Sequence, residues 1–406
     1  LTSSADGTLL RPGTPAHRRA KVALLGTGMA TFALLWSAQP LLVLIGQEFS
    51  VSATEASLLL SAATAALAAA VLPLARLSER FGRARVIGAG LALAVVAGLG
   101  LVLAGSWPAV LALRTLQGAA LAAVPAAALA WVAEEVHPRA VTQLGGLYIA
   151  GTSIGGMGGR LLAGGAAELW GWRGALLTVA LISTALAAAA LALLPRSRHR
   201  GRRVVPTALP DDGDPYRATR LRLYAVGGLG MAMFVGIYNV IVYRTHAEPY
   251  SLGVGLGSMF FLTYAAGTLT SAQAGRLTAR AGVRGTVLLG LATCAAGVLV
   301  TLATPLWAIW VGLLLLAGGF FVAHAVASST VAGVAPRPSA AAGRYTLAYY
   351  LGSSVGGVLL GQAWEVGAWG GTAVAALVII AVAGAAAAGL PRRPLGAGAP
   401  RTTRRS

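Results

Sequence analysis

Acidic residues are scarce in this chain, and cysteine and lysine nearly absent. Twelve Asp and Glu stand against thirty-one Lys and Arg in 406 residues, leaving a formal net charge of +19. Cys294 is the single cysteine, so a disulfide framework is excluded. Charged residues of all kinds make up 11% of the chain, where a soluble globular domain carries about 25%. No Gly-rich loop runs into Lys and Ser/Thr, which leaves ATP-driven chemistry without support. No His, Cys and carboxylate cluster has metal-ligand spacing, and no nucleophile–base pair stands out. The expectation is a non-enzyme with neither metal nor cofactor.

What is present is apolar sequence, with a mean hydropathy of +0.75. Runs of about 20 residues, enough to cross a bilayer, fall near 20–45, 55–76, 86–105, 109–134, 141–167, 173–195, 222–245, 254–275, 285–304, 306–334, 342–365 and 370–391. Lipid offers no water to spare backbone groups, so each run is expected to be a helix. Basic residues sort by side. Arg11, Arg18, Arg19 and Lys21, then Arg76–Arg85, Arg139, the Arg-rich stretch 196–222, Arg276–Arg284, Arg337, Arg344 and the last fifteen residues fall on one face. Only Arg173 and Arg244 fall on the other. This positive-inside bias puts both termini in the cytoplasm and explains the basicity without nucleic acid. Anionic lipid contact follows as a secondary effect. Dominance of Ala, Gly, Leu and Arg suggests a GC-rich bacterial coding sequence, hence a multi-pass protein of the inner membrane.

The chain is also duplicated, at an offset near two hundred residues. Gly28-Met29-Ala30-Thr31-Phe32 recurs as Gly230-Met231-Ala232-Met233-Phe234. Arg76-Leu77-x-x-Arg80-x-Gly82 recurs as Arg276-Leu277-x-x-Arg280-x-Gly282, and the Gly151–Gly156 segment after Tyr148 recurs as Gly352–Gly357 after Tyr349. Such repeats in an apolar chain mark a transporter with a substrate path between pseudo-symmetric halves. The expected domains are a cytoplasmic tail (1–19), a six-helix bundle (20–195), a linker (196–221), a second six-helix bundle (222–391) and a disordered tail (392–406).

Three motifs carry a family resemblance. The loop Ala75-Arg76-Leu77-Ser78-Glu79-Arg80-Phe81-Gly82-Arg83 resembles the signature loop of the major facilitator superfamily, with Glu79 in place of Asp and Ala75 in place of Gly. Arg114-x-x-Gln117-Gly118 is similar to that family's fourth-span motif, associated with proton-coupled efflux. Gly151-x-x-x-Gly155-Gly156-x-x-Gly159 resembles its antiporter motif, with Gly156 where Pro is usual. The resemblance spans essentially the whole chain. It implies an all-α membrane protein of twelve transmembrane helices in two pseudo-symmetric six-helix bundles, of the drug and sugar efflux permease branch. It also implies that Leu77, Glu79, Arg80, Gly82, Arg83, Glu134 and Glu135 make a cytoplasmic latch, with Arg83 pairing to Glu134 or Glu135 and Glu79 reaching a helix of the other half.

Intramembrane polar residues are expected to serve a path or a partner helix, because lipid penalises them. The candidates for the substrate pathway are Trp36, Gln39, Arg114, Gln117, Tyr148, Arg160, Tyr238, Asn239, His324 and Tyr349, with Pro40 able to kink the first span. Gly151, Gly155, Gly159, Gly352 and Gly356 form smooth ridges for close helix packing. No carboxylate falls mid-span; Glu48, Glu55, Glu168, Glu248 and Glu365 all sit near span ends. With Arg114 and Arg160 inside, the substrate is expected to be neutral or anionic rather than cationic. The reading is a monomeric secondary transporter exporting a drug, sugar or metabolite, with the proton gradient as driving force and small molecule, protons and lipid as partners. The alternatives are an importer or uniporter of a sugar or organic acid, and a receptor or scaffold that does not transport. In a Cys294→Ser background, Gly105→Cys is expected to react with an impermeant maleimide on intact cells, and Arg85→Cys only after lysis. The reverse pattern would overturn the topology.

Overall fold

A computed structural model describes residues 9–195, 197 and 214–392, the side chain of Ser339 excepted. Positions 1–8, 196 and 198–213 of the expected linker, and 393–406 of the expected tail lie outside the described residues. In chain order the helices are α1 (Pro15–Trp36), a 3-10 turn (Gln39–Leu41), α2 (Leu42–Phe49), α3 (Ala53–Phe81), α4 (Arg83–Val102), α5 (Trp107–Leu121), α6 (Ala123–Glu135) and α7 (Pro138–Leu193). They continue as α8 (Arg217–His246), α9 (Val254–Ser258), a second 3-10 turn (Met259–Thr263), α10 (Tyr264–Ser271), α11 (Ala274–Val300), α12 (Leu306–Val334) and α13 (Pro338–Ala388).

Among the described residues nine helical stretches are long and apolar enough to cross a membrane. Two of them hold two spans each, because α7 turns at Gly171 (φ 63°) and α13 at Gly367–Ala368. The eighth span is the broken run from α9 through α10 into α11, which turns at Gly282 (φ 69°). Twelve spans result, as the hydropathy pattern predicts. Gly82 (φ 98°) and Gly282 are duplicated positions, and both occupy a left-handed region that side chains avoid. The tight turn is therefore a property of the repeat unit itself.

By proximity the chain falls into two compact units. The first gathers Leu1–Val205, Val235–Leu262 and Ser353–Thr372; the second gathers Pro206–Phe234, Thr263–Gly352 and Ala373–Ser406. Two segments of the second sequence copy, Val235–Leu262 and Ser353–Thr372, group with the first unit. Leu24, Ile87, Leu91, Val124, Trp131 and Leu144 centre the core of the first unit.

Two helices begin ahead of the apolar run they carry. α1 begins at Pro15, inside the expected tail, because Thr14 caps it by accepting from the His17 N–H. Upstream, Leu10 pairs with Glu135 and His137 through its backbone. α8 begins at Arg217, inside the expected linker. There Asp214 accepts from the Tyr216 N–H and pairs with Arg220. Burial opposes its charge, but the Tyr216 N–H and the Arg220 guanidinium prevail and hold the carboxyl below its usual range.

The glycine ridge on α7 lies directly on α1. A Cβ at Gly151, Gly155 or Gly159 would stand 2.3 Å from the Leu25 oxygen, 2.2 Å from the Met29 oxygen or 2.6 Å from the Ala33 Cα. The second copy repeats the approach, with Gly352 at 2.0 Å from the Gly228 oxygen and Gly236 at 2.7 Å from the Gly356 oxygen. Gly155→Ala is expected to cost about 1–3 kcal/mol by overpacking, read as a lower melting temperature. Gly158→Ala meets nothing within 4 Å and serves as the neutral control. Equal melting of both variants would contradict the ridge.

Candidate functional site

The first span is interrupted, and the polar site is built around the interruption. Pro40 has no N–H to give, so the α1 helix ends at Trp36 and a 3-10 turn carries Gln39 and Pro40. Arg114 of α5, 1% exposed, grips this end. Its Nη1 and Nη2 donate to the Leu34 and Leu35 oxygens of the last α1 turn at 3.2 and 2.8 Å. Its Nε donates to the Leu59 oxygen of α3 at 3.0 Å, and Nη1 also to Gln117 Oε1 at 2.6 Å. Gln117 in turn donates to the Ala94 oxygen of α4. Gly118 makes this reach possible, since a Cβ there would fall 2.0 Å from the Ala63 oxygen of α3. Arg114 is therefore a clamp joining three helices. Carbonyl dipoles left over at a helix end attract a guanidinium as effectively as water does.

Arg160 of α7 approaches the same break and is 2% exposed. Its Nε donates to Gln39 Oε1 at 2.6 Å and its Nη1 to the Gly156 oxygen at 2.7 Å. The guanidinium lies 4.6 Å from the Trp36 ring centroid and 5.1 Å from that of Phe261. Gln39 passes the network on, donating to Asn239 Oδ1 at 2.7 Å, so residues two hundred apart in sequence meet. Tyr238, fully buried, stacks on Phe261 at 5.6 Å. Trp36, Gln39, Arg160, Tyr238 and Asn239 thus come together as one polar–aromatic cluster.

Three other candidates lie elsewhere. Tyr148 is 4% exposed and belongs to the core cluster with Leu24 and Leu144. His324 and Tyr349 belong to the second unit, their rings 4.8 Å apart. In the loop after α3, Arg83 pairs with Glu134 at 2.8 Å and with Glu79 at 3.5 Å, and donates to Ser78 Oγ at 2.6 Å. Glu79, near the end of α3, thus pairs with the first residue of α4 across the turn at Gly82. Leu77 and Arg80 are exposed, the latter over Phe81 at 5.5 Å. Glu135 is buried, and its carbonyl accepts from Leu10.

Sequence reasoning missed several participants. Phe261 was hidden in an apolar run. Ser61 and Thr64 of α3 meet Ser354 of α13 at 2.7 Å each, and small hydroxyls in apolar spans carry no distinctive pattern. Three of the carboxylates near span ends are ties: Glu365 accepts from the Thr54 N–H at the start of α3, Glu168 from the Gly255 N–H of α9, and Glu48 from the Trp172 indole.

Comparison with known proteins agrees with this architecture. A model of the Major Facilitator Superfamily matches residues 23–211. The inner membrane transport protein YnfM of Escherichia coli K12 is 36% identical over 394 residues, 93% of this chain and 92% of that protein. The chain belongs to the major facilitator superfamily. It is a multi-pass membrane transporter of that family. The uncharacterized MFS-type transporter YybF of Bacillus subtilis is 34% identical over 88% of this chain and 90% of its own length. Among solved structures, a bacterial homolog of the human lysosomal transporter Spinster superposes with a TM-score of 0.75 at 16% identity, covering 93% of this chain and 96% of that one. The human organic anion transporter MFSD10 superposes at 0.68 and 19% identity, over 92% of this chain and all of that one. Both share the superfamily fold.

A lysine at position 114 keeps the charge of this superfamily member but cannot fork onto Leu34, Leu35, Leu59 and Gln117 together. Arg114→Lys is expected to lose about 1.5–3 kcal/mol, measured by thermal melting in detergent. Unchanged melting would show that the clamp contributes little.

Proposed function

We propose that this transporter exports a neutral or anionic small molecule from the cytoplasm by alternating access, in exchange for inward-moving protons. The membrane is the bacterial inner membrane, with both termini on its cytoplasmic side. The observation that carries the reading is the buried Arg160, held between Trp36 and Phe261 and linked through Gln39 to Asn239. A guanidinium deep in a span is costly unless it does work, and here it borders residues contributed by both sequence copies. Its planar fork suits a carboxylate, a sulfonate or a polar carbonyl, and the flanking rings suit the apolar body of such a molecule. A substrate entering this cluster would replace Gln39 on Arg160 and so weaken the Gln39–Asn239 bond. That exchange supports a gate opened by the cargo. No carboxylate lies mid-span to neutralise a permanent cation.

The test is a melting screen of the purified chain with benzenesulfonate, chloramphenicol and ethidium as anionic, neutral and cationic probes. A ligand held by the folded state raises the melting temperature. Benzenesulfonate or chloramphenicol is expected to do so, ethidium is not, and Arg160→Gln is expected to abolish the anion's effect. Strong efflux of ethidium from vesicles would overturn the substrate class.

A further inference from the structure

A proton exchanged for cargo must rest on some group inside the membrane, and the usual carboxylates are missing there. Among the described residues, every Asp and Glu lies in a connection or close to the end of a span. Among the described residues, His17, His137 and His246 lie near helix ends or in connections, and only His324 is deep in a span. It stands ten residues before the end of α12, about 15 Å of helix. The half-buried ring has a phenol as its nearest polar partner: Tyr345 Oη of α13 lies 3.0 Å from His324 Nδ1. The same hydroxyl donates to the His324 carbonyl oxygen at 3.4 Å.

These two distances give the pair a hydrogen-bonded arrangement in both charge states. With Nδ1 bare, the Tyr345 hydroxyl donates to it. With Nδ1 protonated, the ring donates to the phenol oxygen and the hydroxyl proton turns to the His324 carbonyl. In neither state is Nδ1 or the phenol left without a partner, so satisfying Nδ1 needs a hydroxyl rotation and not a helix movement. The imidazolium charge also has somewhere to rest. Tyr349 lies 4.8 Å from the imidazole centroid, Tyr345 5.6 Å and Phe320 5.8 Å, and aromatic faces attract a cation.

The titratable groups around this pair are few. α13 contributes Tyr345 and Tyr349, and α10 contributes Tyr264, 6.4 Å from Phe321. α11 contributes Cys294, bonded to the Leu316 oxygen, and α8 brings Phe234, stacked on Phe320. Arg344, beside Tyr345 in sequence, is exposed.

We propose that His324 and Tyr345 form a reversible proton-binding site inside the membrane. The imidazole takes one proton from water at one face and returns it to water at the other, with no net change in the protein. The part this plays in transport rests on the antiport reading above; the site itself is tested without any substrate. The full chain, labelled with 13C at histidine Cε1 and held in lipid nanodiscs, is titrated by NMR between about pH 5 and 8, where imidazoles change charge. His324→Gln identifies the His324 resonance by its loss. That resonance is expected to shift reversibly with pH, and Tyr345→Phe is expected to keep the titration but displace its midpoint. A resonance that stays fixed across the range in protein that still melts cooperatively overturns the site. A midpoint unmoved in Tyr345→Phe overturns the role of the phenol. Failure of the antiport reading has a different sign, since wild-type flux would then ignore an imposed pH gradient.

Discussion

A helix that breaks inside a membrane leaves carbonyls with no water to bind, and something must replace the missing donors. In this transporter the break at Pro40 creates that need, and Arg114 meets it by holding the Leu34 and Leu35 oxygens. Much else depends on this one interaction. Because the end of α1 is held, the 3-10 turn can present Gln39, fully buried, toward Arg160 and Asn239. Because Arg114 must reach α1 and α3 at once, α5 has to lie against α3 without a side chain at Gly118. The two intramembrane arginines therefore divide their work around one kink. Arg114 stabilises the backbone, and Arg160 joins the kink to Trp36, Phe261 and, through Gln39, Asn239.

Glycine enforces the same geometry on a larger scale. The α1–α7 ridge at Gly151, Gly155 and Gly159 brings backbone against backbone, so the face carrying Tyr148 becomes core while that carrying Arg160 meets the kink. The second copy preserves the close approach at Gly352 and the Gly236–Gly356 crossing but not the arginines. Leu314 and Gly361 stand where Arg114 and Arg160 would be. Its chemistry is aromatic instead, with His324 set among Tyr345, Tyr349 and Phe320. Duplication supplied two similar scaffolds, and divergence gave them an arginine-centred cluster in one and an imidazole-centred cluster in the other.

Hydropathy alone located the twelve spans, because lipid imposes a length of apolar sequence that no other constraint resembles. The Arg83–Glu134 pair and the glycine contacts were legible for a similar reason: loop motifs and four-residue spacing are local patterns. The surroundings of Tyr148 and Arg114 were not. Both are polar groups in apolar spans, and sequence distinguishes a polar residue facing a path from one facing a neighbouring helix only through partners elsewhere in the chain. The partners of Arg114 are backbone oxygens, which every residue possesses and no pattern reveals. The start of α8 at Arg217 was not legible, because a charged helical extension of an apolar run reads like linker.

By itself the sequence determined the class of machine, since composition, repeat and charge asymmetry follow from the bilayer and from gene duplication rather than from packing. Tertiary structure decided which intramembrane polar groups hold the fold and which remain for chemistry. That choice depends on a side chain's distance to partners hundreds of residues away, as with Gln39 and Asn239 or Ser61 and Ser354. Inside lipid a polar group must end on some partner, and only the folded chain shows which one.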